Sequence, residues 1–141
     1  SYATGDAAFD KSRYSGNSGV WGIGGLVGVM DNGLITNSYA TGDVAGYQDA
    51  GGLIGLQVRG IVTKCYATGN ITSGSFSGAL IGYSTFYGYS AEISDCYATG
   101  DVPAGYGGNG SLIGYKEGNI KIGSYMDWKE SEGKLNPLTN E

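Results

Sequence analysis

Apolar residues fall along this chain in clusters of one to three, divided by glycines, and no 3.6-residue period persists. One recurring cluster is a Leu-Val or Leu-Ile pair held between glycines, in Gly24–Gly28, Gly51–Gly55, Gly78–Gly82 and Gly110–Gly114. A second begins with Leu34-Ile35, Ile61-Val62 or Ile93 alone and runs into a Tyr-Ala-Thr segment. A third is the lone Val44, Ile71 or Val102 that follows a Gly-Asp or Gly-Asn turn. β-branched and aromatic residues dominate these pieces. The pattern predicts many short strands and no helix.

The clusters recur with their polar neighbours, so the chain is an internal repeat. Ser-Tyr-Ala-Thr-Gly-Asp opens it at Ser1–Asp6 and returns as Ser38–Asp43, Cys65–Asn70 and Cys96–Asp101, with a worn copy at Ser124–Asp127. The offsets between copies are 37, 27, 31 and 28 residues, and those of the glycine-bounded phrase are 27, 27 and 32. A basic coil of 27 residues follows, with insertions in Phe9–Val20, Ser84–Ala91 and Ala104–Asn109. A coil of that length holding two or three short strands predicts an all-β fold: a right-handed parallel β-solenoid (β-helix) of about four to five coils. An antiparallel sandwich or propeller is the alternative, but propeller blades need about 40 residues. Hairpin signals occur only at Asn32-Gly33 and Asn109-Gly110.

Strict alternation through the longest segment gives two faces. One carries Leu34, Thr36, Ser38 and Ala40, with Ile61, Thr63, Cys65 and Ala67, then Glu92, Ser94, Cys96 and Ala98. The other carries Ile35, Asn37, Tyr39 and Thr41 and their equivalents, including Lys64 and Asp95. Burying unpaired charge is costly, so the first face is expected to point inward and the Tyr/Thr rows outward. A kink before Ser38 would instead allow the tyrosines to turn into the core. Residues 1–126 form the repeat region. Residues 127–141, polar apart from Trp128, Leu135, Pro137 and Leu138, read as a C-terminal cap or linker. The repeat is already under way at Ser1, as expected of a mature product or an excised fragment.

Composition narrows the function. Glycine numbers 28 of 141 residues, held at fixed places beside apolar pairs, which favours ordered turns over disorder. Charge is sparse, net −5, without a Lys/Arg cluster, so a nucleic-acid partner is not expected. The most apolar stretch, Val20–Met30, is short and interrupted by glycines, so no membrane insertion is expected. There is no histidine, which removes His-based triads and His-ligated metals, and two cysteines alone make no zinc site. No cofactor and no metal are expected.

Gly-Gly-Leu-Val/Ile-Gly followed by Ile-x-x-Ser/Cys-Tyr-Ala-Thr-Gly-Asp/Asn-Val resembles the GLUG repeat over roughly residues 1–128. Ala79 and Ser111 depart from it at the second glycine position, and Met126 stands where Trp is usual in the Tyr-Trp-Asp segment that closes such arrays. The resemblance implies a bacterial secreted or cell-surface protein: adhesin-like, or a non-catalytic part of an IgA-specific metalloprotease. It supplies no catalytic residue, and without histidine the His-Glu-x-x-His signature is absent.

The expected function is therefore a non-enzymatic structural or adhesive repeat domain, self-assembling or binding other surface proteins, with glycans as a further partner class. The alternative is a carbohydrate- or ice-binding module, and the third reading a polysaccharide-acting enzyme. The binding surface is expected on Tyr39, Tyr66 and Tyr97 with Thr41, Thr68 and Thr99, flanked by Tyr83, Tyr87, Tyr89 and Tyr106 of the inserted loops. Tyrosines at the coil spacing also arise simply from β-propensity and stacking. The threonine row, one per coil beside a bulky ring, makes a rough ice-binding surface. Asp6, Asp43, Asn70 and Asp101 share one position, where calcium competes with plain hydrogen bonding to turn amides. A glycosidase-like reading needs converging carboxylates, which Asp95 and Asp101 do not supply. Cys65 and Cys96 occupy one repeat position in consecutive coils. They read equally as a disulfide, favoured by an extracellular setting, or as buried thiols continuing a ladder with Ser38 and Ser124.

Overall fold

A computed structural model describes residues 1–8, 22–72, 75–85, 91–103, 112–117, 121–122, 125–127 and 136–138. All of its regular elements are strands. The described strands form four sheets in which each copy of the repeat pairs with the next in parallel. The arrangement is all-β, is not a closed barrel, and agrees with a β-solenoid.

The first sheet is built from the Tyr-Ala segments: β1 (Tyr2–Ala3), β5 (Tyr39–Ala40), β9 (Tyr66–Ala67), β14 (Cys96–Ala98) and β17 (Tyr125–Asp127). These pair in parallel in that order, with Tyr2, Tyr39, Tyr66 and Tyr97 in register. A last strand, β18 (Asn136–Leu138), adds to β17 antiparallel. A second sheet stacks the short strands after the Gly-Asp turn, β2 (Ala7–Ala8), β6 (Val44–Ala45) and β10 (Ile71–Thr72). A third stacks β3 (Ile23–Gly24), β7 (Gln48–Gly51) and β11 (Ser75–Gly78). The fourth and longest sheet holds β4 (Val27–Thr36) and β8 (Ile54–Thr63), followed by β12 (Ile81–Ser84) with β13 (Ala91–Ser94), then β15 (Ile113–Lys116) with β16 (Lys121–Ile122).

The core is the column of residues that each repeat points at its own centre. Leu53, Ile54, Leu80, Ile81, Val62, Ile93, Ala67 and Ala98 are sealed from solvent. A smaller cluster of Val44, Ala50 and Ile71 fills the side beneath the second and third sheets. One buried polar column is satisfied internally. Gln57 donates through Nε2 to the Gly60 carbonyl at 3.1 Å and accepts from Ser84 Oγ at 2.9 Å.

Two expectations are corrected. Alternation does not run straight through the longest segment. Asn37, Lys64 and Asp95 adopt left-handed backbone, with φ of 48°, 54° and 52°. This corner reverses which parity faces inward. Ile35, Val62 and Ile93 therefore turn into the core, whereas Leu34 and Ile61 stand exposed, the opposite of the expected placement. Beyond the corner the expected parity holds: Ser38, Cys65, Cys96 and the alanines are buried and the tyrosines face outward, half-exposed. The second correction concerns Ser124, expected in the ladder of Ser38 and the cysteines. The backbone partner of Cys96 is Tyr125, and Tyr97 faces Met126, so the worn copy sits one residue out of the expected register. The offset of Glu92 to Lys121 already sets that shift.

Candidate functional site

The outward tyrosines form a continuous stack. Ring centroids lie 5.3 Å apart from Tyr2 to Tyr39, 4.8 Å from Tyr39 to Tyr66 and 5.0 Å from Tyr66 to Tyr97, with planes within 11° of parallel. The spacing is the inter-strand distance, so the sheet register itself holds the rings face to face. Tyr39 and Tyr66 each lie between two stacked rings and are half-exposed, whereas Tyr2 at the end of the row is exposed. Thr41, Thr68 and Thr99 follow one residue beyond Ala40, Ala67 and Ala98. Their amides donate to the carbonyls of Ala3, Ala40 and Ala67, which locks the row to the stack.

The turn aspartates hold the repeats together. Asp43 N–H donates to Asp6 Oδ1 at 2.9 Å, Asn70 N–H to Asp43 Oδ1 at 2.8 Å and Asp101 N–H to Asn70 Oδ1 at 2.9 Å. One side-chain oxygen per turn thus caps the next turn's amide, a task Asn performs as well as Asp. No metal-ligating cluster of acidic, cysteine or histidine side chains occurs among the described residues.

Cys65 and Cys96 directly precede the paired Tyr66 and Tyr97, are both buried, and are free thiols. Each donates to the carbonyl two residues back, Thr63 at 3.1 Å and Ser94 at 3.0 Å, as Ser38 does to Thr36 at 2.8 Å. This side chain closes the left-handed corner. The neighbouring Cys96 side chain pulls the Cys65 thiol down to about 7, while the same proximity and burial push Cys96 up. The two titrate as a pair.

A second aromatic group was not singled out as a unit in the sequence. Phe76, Tyr83 and Tyr115 lie with centroids 5.3–5.5 Å apart, and Tyr83 donates its hydroxyl to Glu117. Tyr83 and Tyr115 belong to a column of the long sheet whose earlier members are Val29 and Leu56. With exposed Leu34 and Ile61, these give that sheet an apolar outer surface. Of the expected flanking tyrosines, only Tyr83 is placed; Tyr87, Tyr89 and Tyr106 lie outside the described residues. Asp95 and Asp101 are both exposed, one just before the Tyr97 strand and the other three residues beyond its end.

Asp49 is the one carboxylate sealed from solvent among the described residues. Neither of its oxygens has a hydrogen-bond partner there, and burial pushes its pKa up to about 6. It sits at a left-handed corner, φ 50°, shared with Phe76 of the next repeat.

A parallel stack of short strands with one side-chain ladder per repeat position defines a β-repeat protein. The GLUG motif matches the chain three times, at residues 19–45, 46–72 and 74–102, together more than half its length, and the chain belongs to the GLUG-repeat family. No curated protein and no solved structure matches the sequence.

Proposed function

We propose that this chain is a non-enzymatic adhesive or structural repeat domain of a bacterial secreted or cell-surface protein. Its architecture in that reading is a right-handed solenoid of four to five coils of about 27 residues, with residues 127–141 as the cap. The observation that carries the reading is the column Tyr2–Tyr39–Tyr66–Tyr97. Four stacked rings make a rigid semi-apolar strip, with large contact area at low entropic cost and hydroxyls free to pair. The partners are other copies of the chain or other surface proteins, without cofactor, nucleic acid or membrane insertion. The test is the double variant Tyr66→Ser/Tyr97→Ser. The expected result is lost self-association or adhesion with melting little changed. Destabilisation by several kcal/mol would assign the rings to packing instead.

A glycan-binding reading is favoured at a different place by Phe76, Tyr83 and Tyr115 with Glu117. It combines apolar ring faces with a hydrogen-bonding carboxylate. Glycan-array binding lost in Tyr115→Ala supports that reading; an array signal unchanged by it removes this site.

A further inference from the structure

Cys65 and Cys96 lie inside the stack, with a further repeat strand on either side. Tyr66 N–H donates to the Ser38 carbonyl and Tyr97 N–H to the Cys65 carbonyl, both at 3.1 Å. Cys96 pairs onward with Tyr125. The two thiols therefore hold one ladder position in adjacent, hydrogen-bonded strands. Both residues are 1% exposed. Lys64 and Asp95, directly before them, are exposed, so the sulfurs lie one residue beneath the surface.

Their side-chain geometry repeats as well as their position. Each Sγ donates to the carbonyl two residues back, Thr63 at 3.1 Å and Ser94 at 3.0 Å. Each also reaches a second carbonyl, Ile35 at 3.7 Å for Cys65 and Val62 at 3.8 Å for Cys96, and these two residues are themselves paired one repeat apart. Side chains held alike on neighbouring parallel strands run side by side, with equivalent atoms about 4.8 Å apart. A disulfide needs its sulfurs about 2 Å apart, so at least one thiol would have to leave its carbonyls. Two metal–sulfur bonds of about 2.3 Å laid end to end span about 4.6 Å, which matches the ladder as it stands.

We propose that Cys65 and Cys96 form a two-coordinate site for a soft monovalent cation with a filled d shell, the class of Cu(I) and Ag(I), which bridges the two sulfurs and staples one repeat to the next. Thiolate sulfur selects such ions. Binding breaks one S–H bond and releases one proton to solvent. One thiolate and one thiol then hold the cation, so the buried complex is neutral and the cost of burying a net charge is avoided. No electron is transferred. Zinc is disfavoured by coordination number: it takes four ligands in a structural site, and no group of three or more acidic, cysteine or histidine side chains able to hold a metal occurs among the described residues. The preceding repeat carries Ser38 at this position, whose hydroxyl is a hard ligand, so the site is confined to the Cys65–Cys96 boundary. The site goes beyond the adhesive reading and does not rest on it, because the thiols are buried and the tyrosines face outward.

The probe is silver nitrate, titrated under nitrogen into the reduced chain after the reductant is removed. The expected result by native mass spectrometry is one silver ion per chain, with a mass gain of one ion less one proton. A new ultraviolet sulfur-to-metal absorption and a higher melting temperature should accompany it. Competition against a cuprous chelator should show that Cu(I) takes the same site, and zinc sulfate at the same concentration should not bind. Cys65→Ser and Cys96→Ser should each lose at least about a hundredfold in silver affinity. Circular dichroism of the ion-free variants controls for folding. If either variant does not fold, the stoichiometry, proton count and absorption of the unaltered chain decide by themselves. The proposal is overturned by no silver uptake, by two silver ions per chain, by an ion that joins two chains in a dimer, or by unchanged affinity in either serine variant.

Discussion

Asp49 and Phe76 occupy the same left-handed corner one repeat apart, at φ 50° and 51°, yet Phe76 packs on Tyr83 and Tyr115 while Asp49 is a buried carboxyl without a hydrogen-bond partner among the described residues. Burial alone moves the Asp49 pKa from 3.8 to about 6. A raised acid pKa means that the folded state holds a proton more tightly than the unfolded chain. Its effect on stability is therefore absent below pH 4, grows as pH rises from about 4 to about 6, and stays in full above that. Two pKa units correspond to about 3 kcal/mol lost at neutral pH. Asp49→Asn keeps a residue tolerant of positive φ and removes the charge. Its expected outcome is a higher melting temperature at pH 7 and a flatter profile between pH 4 and 6. Equal melting of both proteins at pH 7 would show that Asp49 is solvated.

Gly5 and Gly69 share one repeat position but not one environment. A Cβ at Gly5 meets nothing within 4 Å, whereas one at Gly69 would overlap the Gly42 carbonyl oxygen of the preceding turn. Gly5→Ala should be neutral within about 0.5 kcal/mol. Gly69→Ala forces two backbones apart in the middle of the stack and should cost about 3 kcal/mol or prevent folding. Chemical denaturation of the two variants checks the contrast. Equal effects would mean that the turns are not in contact.

Much of this stack could be read from residues. The recurrence of Gly-Gly-Leu-Ile-Gly and Tyr-Ala-Thr-Gly-Asp carried the pairing, because a repeat of nearly constant length places equal residues one strand apart. The pairs Tyr39–Tyr66 and Tyr66–Tyr97 followed from it. Strand parity did not, since one left-handed residue inverts it. Asn37 and Asp95 are residue types that adopt this conformation readily, and they were the available signal; Lys64 at the same place concealed it. Asp49 was equally hidden: its burial depends on its neighbours in three dimensions, not on its local pattern.

The cysteines invite a substitution that separates two chemistries. Ser38 already performs the corner bond that Cys65 and Cys96 perform, so Cys65→Ser/Cys96→Ser should keep all three carbonyls paired. The expected change is within about 1 kcal/mol, with Cys96→Val costing more because the Ser94 carbonyl loses its donor. A disulfide across this spacing would instead make the double serine variant less stable by about 3–4 kcal/mol, the loop-closure effect for about 30 residues. Intact mass with and without reductant, on the same sample used for melting, assigns the result.

Lys64 tests the corner itself. Its side chain is exposed and its φ is 54°, a region in which a Cβ crowds the following carbonyl oxygen. Asn37 and Asp95 hold the equivalent places above and below it with residue types better suited to that backbone. The strain at Lys64 should therefore be relieved by Lys64→Asn or Lys64→Gly, each raising stability by roughly 0.5–1 kcal/mol. Lys64→Val should lower it by about 1–2 kcal/mol, because β-branched residues resist positive φ. The opposite order, with valine best, would mean that the strand runs straight through residue 64. Val62 and Tyr66 would then lie on one face, and Ile61 would point with Cys65 into the core. Urea melts of the three variants decide between a corner and a continuous strand. With it they decide whether Leu34 and Ile61 belong to the outer surface.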